Sequence, residues 1–228
     1  MNEASKTRAV RSQDFYARFF SGTVLDIGCG PDLVVPNAQP FDMEHGDANC
    51  ILNYFGPESF DTVHSSHALE HMHDPVKCLS DWWKLVRPGG YMITVVPDAE
   101  LYEQGCWPSI FNPDHKSRFS LSTQSLANKI FNIRELVDSL PGASVVSVTR
   151  QDSGYRRPVW RLSPFRNVRP LVRAVARLRA SLLAAHKTDG SLDRAVVRMA
   201  LIAGIPVDQT IGSALAQIEV VLQKKRST

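Results

Sequence analysis

VLDIGCG, Val24 to Gly30, reads as a buried strand that runs into an acidic, glycine-marked turn. Val24, Leu25 and Ile27 are apolar, Asp26 stands two residues before Gly28, and Gly30 follows. Glycines this close together let a backbone pass against a ligand where a Cβ would collide. Such a turn suits a dinucleotide or another adenosine cofactor, and the acid helps to choose between them. A dinucleotide fold needs GxGxxG with a pyrophosphate on the helix N-terminus. Here Leu33 takes the third glycine's place. A carboxylate beside a pyrophosphate costs Coulomb energy, whereas it suits the ammonium and sulfonium of S-adenosylmethionine. Asp26 could equally bond to backbone within the turn.

Outward from this stretch, the order of apolar runs describes an α/β fold. Residues 5–21 can form a helix, with Phe15, Tyr16, Phe19 and Phe20 along it. A first strand is expected at 23–27 and a further buried strand at Phe60 to Ser65. Asp74-Pro75 then opens a helix over roughly 75–86, because Asp suits an N-cap and Pro the first turn. Pro88-Gly89-Gly90 is a turn signal, and Tyr91 to Val96 is strongly β-prone. A helix is expected at about 123–139, then strands at 145–149 and 217–223. Strands alternating with helices imply a Rossmann-like, mostly parallel sheet flanked by helices, here with an antiparallel C-terminal strand.

Three segments together resemble the class I S-adenosylmethionine-dependent methyltransferases. VLDIGCG resembles that family's first motif. FDTVHSSHALEHMHDP (60–75) resembles its fourth-strand motif, and LVRPGGYMITVVPD (85–98) its turn and fifth strand. They cover most of residues 20–100 in the family's order. The resemblance implies S-adenosyl-L-methionine as cofactor, with Asp26, Gly28, Cys29 and Gly30 lining its methionine end. It implies Asp42, or alternatively Glu44, for the ribose hydroxyls, since a carboxylate can accept from both. Asp47 and Ala48 in the GDA turn would lie beside the adenine, and Ser65, Ser66 and His67 would approach the methionine moiety. The chain departs from the family between Asp42 and Asp47, where there is no room for the usual helix. The first helix, bracketed by Pro31 and Pro36, is expected to be short.

The acceptor side is sought after the fifth-strand segment. Loops at strand C-termini form the site in open α/β sheets. Tyr102 and Trp107 are candidate substrate contacts there. His115 is a candidate substrate contact and general base, with His67 the second catalytic candidate. An imidazole with its ordinary pKa near 6.5 can take a hydroxyl proton. Surface packing of His115 is the competing explanation. His67 and His71 have metal-ligand spacing, but Ala68 replaces the glutamate of HExxH, so no metal site is expected. At least one of Trp82 and Trp83 is expected to pack in the core, as are the N-terminal aromatics, for which a lid is the alternative.

The chain has 228 residues, is 43% hydrophobic and 21% charged, and its formal charge is +3. This is ordinary for one soluble domain spanning 1–228 and too weakly basic to argue for a stable nucleic-acid partner. There is no apolar run of membrane-spanning length and no apolar signal core near the N-terminus. Four cysteines without a CxxC pair are expected as reduced thiols in a cytoplasmic protein. Leu171, Val175, Leu178 and Leu182, then Leu192, Val196, Met199 and Ala203, predict a helical hairpin inserted at 165–205. Residues 150–179 hold nine arginines and a single acid, Asp152, which suits a solvated face or an anionic partner. The expected activity is methyl transfer to an oxygen of a small molecule such as a sugar or nucleotide-sugar. The alternatives are an RNA or protein methyltransferase docking through the arginines, or a noncatalytic cofactor-binding partner. The oligomeric state is open, with a homodimer one option.

Overall fold

A computed structural model describes residues 3–122, 124–157, 198 and 206–226. The expected hairpin at 165–205 lies outside the described residues apart from Arg198. Six strands form the main sheet in the order β2-β1-β3-β4-β8-β7. They are β1 (Val24–Ile27), β2 (Gln39–Phe41), β3 (Phe60–Ser66), β4 (Val86–Pro97), β7 (Ala143–Gln151) and β8 (Gln217–Lys224). β1 is parallel to β2 and β3, and β3 to β4, while β8 runs antiparallel to β4 and β7. Two short strands, β5 (Arg118–Ser120) and β6 (Ile130–Asn132), pair beside it. The mostly parallel α/β sheet with an antiparallel C-terminal strand is therefore present. Among the described residues, no helix is long and apolar enough to cross a membrane.

The structure departs from the sequence reading at four places, two of them set by caps at Ser12 and Asn132 that hydropathy does not show. The N-terminal segment is two helices, α1 (Glu3–Arg8) and α2 (Gln13–Phe19). Ser12 caps the second by accepting from the Phe15 N–H, and the break carries Arg11 inward to Glu219. No helix joins β1 to β2, so the short helix expected there is absent. Residues 42–59 hold turns and a 3-10 helix (Ala48–Asn53) but no strand, so the strand that the resemblance numbers fourth is the third in this chain. The helix expected at 123–139 shrinks to α4 (Ile133–Asp138), because the Asn132 side chain caps it by accepting from Arg134 N–H.

The helix after β3 formed as its caps predicted. α3 runs Pro75–Lys84, and the Asp74 carboxylate accepts from the Lys77 N–H. It buries Cys78, Leu79, Trp82 and Trp83 against the sheet. Both indoles also donate hydrogen bonds, Trp82 to Ala48 O and Trp83 to Pro141 O. A buried indole N–H without an acceptor would be costly, so these bonds fix the helix in register. Phe19 and Phe20 pack in a second cluster with Val24, Val34 and Ala38, which makes the N-terminal aromatics packing residues.

Candidate functional site

Parallel β1, β3 and β4 end on one edge of the sheet, so the loops after Ile27, Ser66 and Pro97 gather there. The glycine turn follows β1. Gly28 has φ +70°, and a Cβ on it would stand 2.6 Å from the Ala68 Cβ. This contact seats the turn directly against the loop that follows β3. Gly30 also has positive φ, and its N–H donates to Asp42 Oδ2 at 2.7 Å. Asp42 Oδ1 accepts from the Met43 N–H, so the acid at the end of β2 is locked beside the glycines. Asp47 caps the 3-10 helix by accepting from the Asn49 side chain and N–H, which hold its carboxyl below the ordinary range. Ala48, the next residue, is the first of that helix. Glu44 is exposed.

Asp26 is buried beside this turn. It is 1% exposed, with Oδ2 accepting from Val34 N–H and Oδ1 2.6 Å from His64 Nδ1. His64 Nε2 lies 3.4 Å from an Arg11 guanidinium nitrogen, and Arg11 pairs with Glu219. The acid that selected the cofactor in the sequence thus uses both oxygens inside the protein, the backbone alternative left open by the sequence. Cys29 is half-buried, and burial followed by the nearby Asp26 pushes its thiol up. Ser65 is buried in the sheet, with its hydroxyl 3.4 Å from Thr94 Oγ1. Ser66 Oγ is buried without a hydrogen-bond partner.

The other side of the site is assembled from two loops. His67 has a left-handed backbone (φ 53°), and its Nε2 lies 2.8 Å from Gln217 Oε1. His115 is buried at 7% exposure, and its Nδ1 sits 2.8 Å from Glu103 Oε1. The Tyr102 and His71 rings pack on His115 at centroid distances of 5.2 Å and 5.1 Å. The N–H groups of Lys116 and Ser117 both donate to Glu70 O, which stitches this loop to the segment after β3. Tyr102 and His115 are therefore together. Trp107 instead packs under the Arg118 guanidinium, 4.4 Å from its ring centre. Glu70 and Glu103, both buried, had no role in the sequence reading. Glu103 belongs to no motif, and Glu70 sits in the 60–75 segment without an assigned role; only the packing of distant loops brings them to His115.

Burial raises the Glu70 carboxyl, but His67, His115 and His71 together outweigh it and leave it below the ordinary range. The arrangement offers an exposed glycine turn with an acid beside it, next to a buried imidazole held by a carboxylate. Of the described arginines in the basic stretch, Arg150 pairs with Asp98 and Glu100, and Arg157 with Asp152.

A family model described as a methyltransferase domain matches residues 5–130. Among solved structures, the chain is similar to a putative methyltransferase from Bacillus halodurans, with 13% identity, TM-score 0.50 and 100% of both chains covered. It is also similar to a SAM-dependent methyltransferase from Archaeoglobus fulgidus, with 14% identity, TM-score 0.49, and 97% and 94% of the two chains covered. No curated protein matches in sequence.

Proposed function

The chain belongs to the class I S-adenosylmethionine-dependent methyltransferases, and we propose that it methylates an oxygen of a small molecule. S-adenosylmethionine supplies an electrophilic methyl group on a sulfonium. The residues present fit it: positive-φ glycines at 28 and 30 give close backbone approach, open space surrounds the Gly30 Cβ position, and Asp42 lies at the turn. Asp42 would accept from the ribose hydroxyls and Asp47 would face the adenine. Gly28, Cys29 and Gly30 would border the methionine end, with Ser66 and His67 across from them.

One observation carries the acceptor reading, the buried His115 imidazole held through Nδ1 by Glu103. In the neutral ring, a carboxylate accepting from Nδ1–H orients Nε2 with its lone pair for use as a general base. His115 Nε2 takes the hydroxyl proton as the oxygen–carbon bond forms and the sulfur–carbon bond breaks, its electron pair staying on sulfur. An enclosed base suits a small hydroxyl compound better than a polymer surface. Tyr102, packed on His115, would contact the same acceptor.

Calorimetry with S-adenosylmethionine, S-adenosylhomocysteine and NAD tests the donor side, and binding of NAD alone would sink it. A screen of hydroxylated metabolites with radiolabelled methyl donor tests the acceptor. In the same assay His115→Ala should lower turnover roughly 100-fold or more while donor affinity holds. Unchanged turnover removes His115 from the mechanism.

A further inference from the structure

Glu70 is 1% exposed, yet neither of its carboxylate oxygens accepts a hydrogen bond. Three imidazoles surround Oε1: His67 Nδ1 at 3.5 Å, His71 Nε2 at 3.9 Å and His115 Nε2 at 3.9 Å. Two of these rings are held from behind by carboxylates. His71 Nδ1 lies 2.8 Å from Asp114 Oδ2, and His115 Nδ1 lies 2.8 Å from Glu103 Oε1. In the neutral tautomer that donates Nδ1–H to its carboxylate, each of these rings has Nε2 free to ligate. Both Nε2 atoms lie toward the buried Glu70 carboxylate, where one cation would serve all three groups.

We propose that Glu70, His71 and His115 form a binding site for a divalent transition-metal ion. Their ligand atoms all lie within 4.8 Å of one another. Two imidazole nitrogens and one carboxylate oxygen suit zinc, iron(II), cobalt(II) or manganese(II), and leave positions open for further ligands. Bonds of about 2.1 Å in a tetrahedral site put ligand atoms about 3.4 Å apart, so the Glu70–histidine gaps close by roughly 0.5 Å on binding. Asp114 and Glu103 are the outer carboxylates that orient metal-bound imidazoles. The site is tied together through the backbone, since Lys116 and Ser117 N–H donate to Glu70 O at 2.8 Å and 3.2 Å. His71 and Asp114 lie toward solvent, which gives an ion a way in. The HExxH test failed on this chain because one ligand comes from a remote loop and the glutamate directly precedes its histidine.

Binding of the ion is independent of methyl transfer; its use rests on the reading of this cluster as the acceptor side. An acceptor hydroxyl at an open position would release its proton to solvent more readily. With the ion bound, the His115 Nε2 lone pair would be committed to it, so the base role in the proposed function applies to the metal-free chain.

The test uses the untagged full chain, stripped with chelator and titrated with zinc by calorimetry and with cobalt(II) by visible absorption. A single ion per chain is expected, with the absorption of nitrogen- and oxygen-bound cobalt. His71→Ala, His115→Ala and Glu70→Gln should each weaken binding roughly tenfold or more, and Glu103→Gln about tenfold. Circular dichroism and S-adenosylmethionine affinity of each variant verify that it is folded. Absence of binding by the folded parent chain, or binding equally tight in His71→Ala and His115→Ala, overturns the site. Absent metal leaves His115 standing as the base, whereas tight metal binding with turnover indifferent to His115 overturns the base alone.

Discussion

Among the described residues lie two buried histidine–carboxylate pairs, and they differ in what stands behind the second ring nitrogen. Asp26 and His64 belong to a closed chain. Asp26 bonds Val34 and His64, His64 meets Arg11, and Arg11 pairs with Glu219. Glu103 and His115 form an open one. His115 Nε2 faces Glu70, whose oxygens accept no hydrogen bond, and Glu103 Oε2 is likewise without a partner. A fully satisfied buried network holds a fold, whereas unsatisfied buried atoms leave room for a water, ion or ligand. The same pair of residue types is thus closed in one place and open in the other.

The largest effect should come from opening the closed network. Asp26→Ala strips a buried histidine and a backbone N–H of their acceptor, and should cost about 3–5 kcal/mol in urea denaturation. A loss below about 1 kcal/mol would mean the network is not closed in solution. The open pair should behave in the opposite way. Glu103→Gln removes an anion with one unsatisfied oxygen, so the melting temperature should hold or rise. Turnover should still fall about 10–100-fold, because His115 loses its orienting carboxylate. Equal damage to stability and activity would erase the contrast between the pairs.

Gly28 sits between the two regions, against Ala68. Gly28→Ala combines a left-handed φ with a 2.6 Å contact, and should cost about 1–2 kcal/mol together with donor affinity. Ala68→Gly in the same chain should recover only the contact's share, as measured by thermal melting. If the double variant melts no higher than Gly28→Ala alone, the two loops are not seated on each other.

The smallest effect belongs to a carboxylate near the surface. Thr23 N–H and hydroxyl, with Arg87 beside them, hold the Asp61 carboxyl below its ordinary value of 3.8. Its stabilisation is present above that pH and fades as pH falls through the lower folded value. Asp61→Asn should cost under about 1 kcal/mol at neutral pH, given the exposure of the pair. Denaturation midpoints of parent and variant should converge in strong acid, and a gap that widened there would contradict the assignment.

Much of the fold was legible from one sequence. Where an apolar strand ran into a turn residue or a capping pair, the reading was close, as at β1, β3 and α3. It failed where one side chain redirected the backbone: Ser12 and Arg11 split the first helix, and Asn132 delayed the start of α4. Of the candidate site, the residues carried by motifs could be named in advance. His115 and Tyr102 were named from their position after a strand, and the structure packs their rings together. Glu103 was not, and Glu70, though inside the 60–75 segment, was given no role, because the groups that meet each of them come from distant loops.

The sequence by itself determined the family and the glycine turn, because glycines at 28 and 30 and alternating strands and helices are local constraints that survive without knowledge of packing. Only the tertiary structure decided what each buried charge does. Asp26, read from VLDIGCG as a cofactor contact, turns inward to His64, while Glu70, His71 and His115 meet across two loops. The reason is physical: a carboxylate's role depends on which donors reach it after burial, and those donors come from segments far apart in the chain.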